Sequence, residues 1–170
     1  MKQTTARTTS SKVIQADNYK KGELFEKYII ALFNQEFFKL MEWRKSTTFE
    51  NGLITGDLWN PDIEMDLVFT GRSRYRFAVE CKWRKKFKDG KISWARDEQI
   101  LAYQMFQDQR RIPVFVAIGI GGTPDNPERL FLTPLNNIYM HNELHESDLI
   151  PYKRKPTSRF YYDFIQLKLF

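Results

Sequence analysis

Cysteine is almost missing from this chain: Cys81 stands alone among 170 residues. No internal disulfide can form, and an isolated thiol inside an apolar run agrees with a reducing compartment. Histidine is nearly as scarce. His141 and His145 have the spacing of a zinc pair, but no third ligand is evident and His-Asn-Glu-Leu-His is not H-E-x-x-H, so they read as surface residues. No apolar run approaches the roughly 20 residues a membrane-spanning helix needs. The opening Met1-Lys2-Gln3-Thr4-Thr5 lacks the hydrophobic segment of a secretory signal. The expectation is a cytoplasmic protein with no membrane contact. Gly119, Gly121 and Gly122 follow an apolar run, yet no Gly-Lys-Ser/Thr completes a phosphate-binding loop, and they read as a turn. There is no internal repeat.

What is present suits one folded domain. Hydrophobic residues make up 42% of the chain and aromatic ones 15%, ample for a single core. The net charge of +6, with a pI near 9.4, favours a polyanionic partner. Its distribution says more than its size. Arg72, Arg74 and Arg76 precede the run Phe77-Ala78-Val79-Glu80-Cys81-Lys82-Trp83, and Arg84, Lys85, Lys86 and Lys88 follow it.

Residues 1–16 are rich in Thr, Ser, Lys and Gln without apolar periodicity and read as a flexible arm, leaving 17–170 as one domain. Asn18 is a plausible N-cap for a helix over 19–40, whose apolar stripe runs through Leu24, Phe25, Tyr28, Ile29, Leu32, Phe33 and Phe37. Glu26 lies at the edge of that stripe. A short strand over 41–49 carries Trp43, and a loop with Gly52 and Gly56 follows. Ile63, Met65, Leu67 and Phe69 alternate with Asp62, Glu64 and Asp66, the period-2 mark of a strand. A turn near Gly71 leads to a second strand over 75–83, so the two form a hairpin. A helix over 94–110, an apolar strand over 112–120 and a strand at 130–132 come next. A helical turn fits 144–151, and 160–170 suits strand or helix equally. The order αβββαβ predicts an α/β fold, a mixed sheet with helices on its faces.

Glu80 and Lys82 share one face of their strand, roughly 7 Å apart. Burying such a pair is costly unless something bound there compensates. With a hairpin loop near 71–75, Asp66 falls opposite Glu80, and the two carboxylates suit one hard cation such as Mg²⁺, with Lys82 beside it. Phosphodiester hydrolysis requires these parts. An exposed ion pair on an edge strand is the plainer alternative.

Asp66 followed by Glu80-Cys81-Lys82 resembles the signature of the PD-(D/E)xK nuclease superfamily, whose core is αβββαβ. Pro61-Asp62 is a literal Pro-Asp of the same parity, so Asp62 is a second candidate. Asp66 is preferred for its cross-strand placement and because Met65-Asp66-Leu67-Val68 resembles the buried acid of resolvase-type and Mrr-type members. Gly22-Glu23-Leu24-Phe25-Glu26 is similar to the G-x-x-x-E of archaeal Holliday-junction resolvases. Gln99-Ile100-Leu101-Ala102-Tyr103 is similar to the Q-x-x-x-Y of RecB-type nucleases. The resemblance spans Lys20 to Ile120. It implies a DNA endonuclease using Mg²⁺ or Mn²⁺, with Asp66 and Glu80 as metal ligands, Lys82 assisting the nucleophilic water, and Glu26, Gln99 and Tyr103 in support. Trp83 to Lys88 interleaves bases with aromatics, which marks Arg84, Lys85, Lys86 and Lys88 as candidate DNA contacts. Two rivals share the fold: a silent DNA- or protein-binding module, and a structure-selective junction resolvase, which would be a homodimer.

Overall fold

The computed structural model describes residues 4–44, 48–50, 53–55, 59–68, 74–163 and 168–169. Its elements are α1 (Thr4–Leu32), β1 (Phe38–Trp43), β2 (Thr48–Glu50), β3 (Leu53–Thr55), β4 (Ile63–Val68), β5 (Arg74–Arg84), β6 (Lys91–Ser93), α2 (Asp97–Arg110), β7 (Val114–Ile120), β8 (Arg129–Pro134), β9 (Glu143–His145), α3 (Glu146–Leu149), β10 (Lys153–Arg154), β11 (Tyr162–Asp163) and β12 (Lys168–Leu169). Six strands make one sheet in the order β1-β4-β5-β7-β8-β10. Only β5 and β7 run parallel; every other neighbour is antiparallel. This is the mixed sheet expected. Among the described residues, no helix is long and apolar enough to cross a membrane.

The sheet is covered on both faces. Phe25, Ile29 and Leu32 of α1 pack with Ile63, Met65, Leu67, Phe77, Val79 and Cys81 on one side. Ile100, Tyr103 and Phe106 of α2 pack with Ala78, Val116, Ile118 and Trp94 on the other. All seven residues of β7 are buried, as a strand covered on both faces requires. Close packing of α1 depends on Gly119, where a Cβ would come within 2.4 Å of the Phe25 ring.

Two boundaries and one register differ from expectation. Helix α1 begins at Thr4 instead of near Asn18, so the stretch read as an arm is helical from Thr4 onward. Nothing between Thr4 and Lys21 breaks a helix, since the first glycine is Gly22; what it lacks is the apolar stripe on which a sequence reading relies. The same helix stops at Leu32 instead of Leu40. Asn34 turns the chain: its carbonyl accepts from the amides of Phe37 and Phe38, and its side chain accepts from Glu36 N, an Asx-type turn. Strand β1 therefore starts at Phe38.

The third difference is register. The β4–β5 ladder runs Ile63–Val79, Glu64–Ala78, Met65–Phe77, Asp66–Arg76. The expected pairing of Asp66 with Glu80 is thus corrected, and Arg76 stands opposite Asp66. Opposite charges directly across a ladder favour that alignment. The position facing Glu80 falls one step before Ile63, at Asp62.

At the far end, β9 and α3 occupy the region expected to be a helical turn, and β11 pairs with β12 as a short antiparallel ribbon, Tyr162 opposite Leu169. His141 lies in a loop and His145 in β9, so the two do not share a helix face.

Candidate active site

The C-terminal end of β5 opens into a cleft of about 650 Å³. One wall is α1, with Asn18, Tyr19, Lys21, Gly22 and Glu26; the other is Asp62 and Cys81 to Lys85. The site therefore lies where the first helix crosses the ends of the hairpin strands. Glu26, Asp62 and Glu80 are all buried.

Each carboxylate is held by a neutral donor. The indole Nε1 of Trp43 donates to Glu26 Oε2 at 2.7 Å. The backbone amide of Cys81 donates to Asp62 Oδ2 at 2.7 Å. The phenol of Tyr103 donates to Glu80 Oε1 at 2.8 Å, and Lys82 Nζ forms an ion pair with the same oxygen. Neutral donors fix orientation without removing charge. Glu80 Oε2 is buried and has no hydrogen-bond partner among the described residues, a costly state for a carboxylate oxygen.

Electrostatics follow from this crowding. Burial pushes the Asp62 carboxyl well above its usual range, and the charges of Glu80 and Glu26 push it further; Lys82 and the Cys81 amide oppose them. Burial alone would lower the Lys82 ammonium, but Glu80 and Asp62 outweigh it and raise it above the usual lysine value. Lys82 is therefore firmly protonated at neutral pH. Its Nζ also lies 3.5 Å from the Tyr103 oxygen.

A divalent cation fits this donor set. Asp62 and Glu80 offer hard oxygen ligands, one of them the partnerless Glu80 Oε2, and Mg²⁺ takes one or two carboxylates with waters in its other positions. Among the described residues, no cluster of three or more His, Cys, Asp or Glu forms a ready-made cage; a cation held by Asp62 and Glu80 would take water in its other positions.

The other predicted residues divide. Gln99 sits at the start of α2, where its side-chain oxygen accepts from the Arg96 amide at 3.3 Å; it acts as a helix cap, while Tyr103 one turn on does reach Glu80. Arg84 anchors the fold more than it offers a free cation: its guanidinium donates to the carbonyls of Ser93 at 2.8 Å, Trp94 at 3.0 Å and Trp83 at 3.0 Å, and burial lowers its pKa. Lys85, Lys86 and Lys88 are exposed, with Lys85 at the cleft.

Asp66 stands away from this group. Arg76 grips it through two bonds, Nε to Oδ1 at 2.7 Å and Nη2 to Oδ2 at 3.0 Å. Between Asp66 and Asp62, the buried Glu64 pairs with Arg44 and with Arg110. Sequence reasoning missed Trp43 as a partner of Glu26. The signal was present, because a tryptophan near a core needs an acceptor for its N–H.

The class of architecture is restriction-endonuclease-like: a mixed sheet with its parallel pair at the centre, an antiparallel hairpin carrying the acids, and a helix on each face. Among the solved structures it resembles is that of Archaeoglobus fulgidus Hjc, a Holliday junction resolvase from an archaeal hyperthermophile, with a TM-score of 0.52 over 79% of this chain and 91% of that one, at 17% identity. No family model and no curated protein matches the sequence.

Proposed function

We propose that the protein is a divalent-metal-dependent DNA endonuclease whose ligands are Asp62 and Glu80. The observation that carries this reading is the buried, partnerless Glu80 Oε2 beside an Asp62 whose ionisation is opposed by its neighbours. A buried surplus of negative charge at the end of a central strand is expensive to keep without a cation.

A bound Mg²⁺ or Mn²⁺ would neutralise the scissile phosphate and acidify water. Lys82, protonated and steered by Glu80, donates a hydrogen bond to the attacking oxygen and stabilises charge on the phosphate; it is not the general base. Tyr103 fixes Glu80, and the Cys81 amide fixes Asp62. Glu26, held by Trp43, adds negative charge that draws a cation into the site. Lys21 and Lys85 at the cleft, with Lys86 and Lys88 beside it, receive the DNA backbone.

The likeness to a Holliday junction resolvase favours a narrower form, in which the substrate is branched DNA and the working unit a homodimer. Size-exclusion chromatography and a comparison of branched with linear duplex separate the two forms. The decisive assay is plasmid nicking in Mg²⁺ or Mn²⁺ by the wild type, Lys82→Ala and Asp62→Ala. The expected result is a loss on the order of 10²–10³-fold for each variant, the size of removing one transition-state contact. Equal nicking by all three would sink the assignment.

A further inference from the structure

A second concentration of positive charge lies on the edge of the sheet farthest from β1. From Leu149 to Tyr162 the chain has no Asp or Glu, yet it contains Lys153, Arg154, Lys155 and Arg159. These line a shallow cavity of about 260 Å³ together with Ser158 and Tyr161. Lys153, Lys155 and Arg159 are exposed and make no ion pair with any described carboxylate.

The segment is held in place. Lys153 and Arg154 pair with Phe131 and Leu130 of β8. Ser158 N donates to Lys155 O at 3.0 Å, closing a turn. Pro156 O accepts from the Tyr28 hydroxyl at 2.5 Å, and Phe160 N donates to Leu32 O at 2.9 Å, so α1 grips the loop at two points. Lys153, Lys155 and Arg159, held at a fixed spacing with no ion pair to a described carboxylate, suit a ligand of repeated negative charge, and a preordered loop loses less entropy on binding it.

We propose that the Lys153–Arg159 loop is a second phosphate-binding surface that takes the backbone of the duplex flanking the cleft. The inference rests on the DNA-binding part of the function above, not on its metal or its chemistry. Strand β10 lies three strands from β5, a lateral distance of about 14 Å at roughly 4.8 Å per strand. Half a turn of B-DNA is about 17 Å, so one duplex can reach both the β5 end and this loop. Ser158 and Tyr161 add hydroxyl donors of the kind that bind phosphate oxygens.

The test measures duplex binding by fluorescence anisotropy in EDTA across a salt series, so that neither metal nor cleavage enters. The proteins are the wild type, the triple variant Lys153→Ala/Lys155→Ala/Arg159→Ala, its charge-keeping counterpart Lys153→Arg/Lys155→Arg/Arg159→Lys, and Lys85→Ala/Lys86→Ala. The triple alanine variant is expected to flatten the slope of log K against log salt by about 2 to 3, near 0.9 per lost phosphate contact. It should also weaken binding at least 10-fold, and the charge-keeping variant should restore both. A thermal melt of each protein shows that it is folded. An unchanged slope in the alanine variant, with a reduced one in Lys85→Ala/Lys86→Ala, overturns this surface while leaving DNA binding at the cleft intact. A wild type that binds no duplex overturns both. Loss of binding to phosphatidylserine vesicles, with duplex binding unaltered, would reassign the loop to membranes. Failure of the nicking assay alone leaves this measurement valid, because it contains no metal.

Discussion

Strand β4 and the residue before it carry three acids at alternate positions, Asp62, Glu64 and Asp66, all buried, and the two ends are treated in opposite ways. At one end, arginines take the charge: Glu64 pairs with Arg44 and Arg110, and Asp66 with Arg76. At the other, Asp62 and Glu26 accept from an amide and an indole, while Glu80 accepts from a phenol and pairs with Lys82, its Oε2 lacking a hydrogen-bond partner among the described residues. Adjacent residues show the contrast most clearly, because Trp43 sends a neutral donor to Glu26 while Arg44 sends a cation to Glu64. An arginine fork satisfies a buried carboxylate in both charge and geometry and leaves it inert. A neutral donor satisfies geometry alone. On the proposed function, the charge that remains would draw a cation, and the chemistry of the donor, more than the burial of the acid, would separate a structural carboxylate from a functional one.

The largest effect that tests this comparison is an exchange of roles. Asp62→Asn should reduce nicking on the order of 10³-fold, whereas Asp66→Asn should leave it within a few-fold of wild type. The reverse ranking would return the metal to Asp66 and break the contrast. Next in size is stability. Glu64→Ala removes the buried partner of Arg44, which keeps Glu42 and the Pro61 carbonyl, and should cost about 3 kcal/mol in urea unfolding, in the range seen when one member of a buried pair is removed. Glu80→Gln takes a charge from Lys82 but also relieves the crowding of Glu80 against Asp62, and should cost less than Glu64→Ala. Smaller again is Trp43→Phe, which keeps the ring and deletes the donor to Glu26. Mn²⁺ affinity, read by calorimetry, should fall about 10-fold, as for loss of an outer partner of a metal site, with the melting temperature little changed. A large drop in melting temperature with unaltered affinity would make Trp43 structural only.

The order αβββαβ was legible because Met65, Leu67, Phe77 and Val79 alternate on a strand period and because Val114 to Ile120 is apolar throughout. Those signals depend only on which face meets the core. The pair Glu80 and Lys82 was legible for the same reason, since parity places them together whatever the hairpin loop. The choice between Asp62 and Asp66 was not, because both have that parity and the register depends on where the turn closes. The Asp66–Arg76 pairing fixes that register. The cap bond of Gln99 was not legible, because i, i+4 spacing with Tyr103 says nothing of the axial position, and the first turn of a helix has amides in need of acceptors. The helical stretch before Asn18 was hidden because periodicity reports packing and not helix as such.

The smallest expected effect is also the most direct probe of the Asp62 end. A carboxyl whose folded pKa is raised binds its proton more tightly in the native state than in the unfolded one. Its contribution to stability is complete below the unfolded value near 3.9 and is lost as pH rises through the folded value. For metal-free protein, the difference in stability between wild type and Asp62→Asn should therefore move against wild type as pH climbs from about 4 toward neutrality, with Asp62→Asn ending more stable by about 1 kcal/mol. Saturating Mg²⁺ should shrink the slope in the wild type and leave Asp62→Asn unmoved, since the cation stabilises the ionised carboxyl and its binding displaces the proton. Parallel pH profiles for wild type and Asp62→Asn would mean that Asp62 carries no excess charge in the fold, and the distinction between the two ends of β4 would fail.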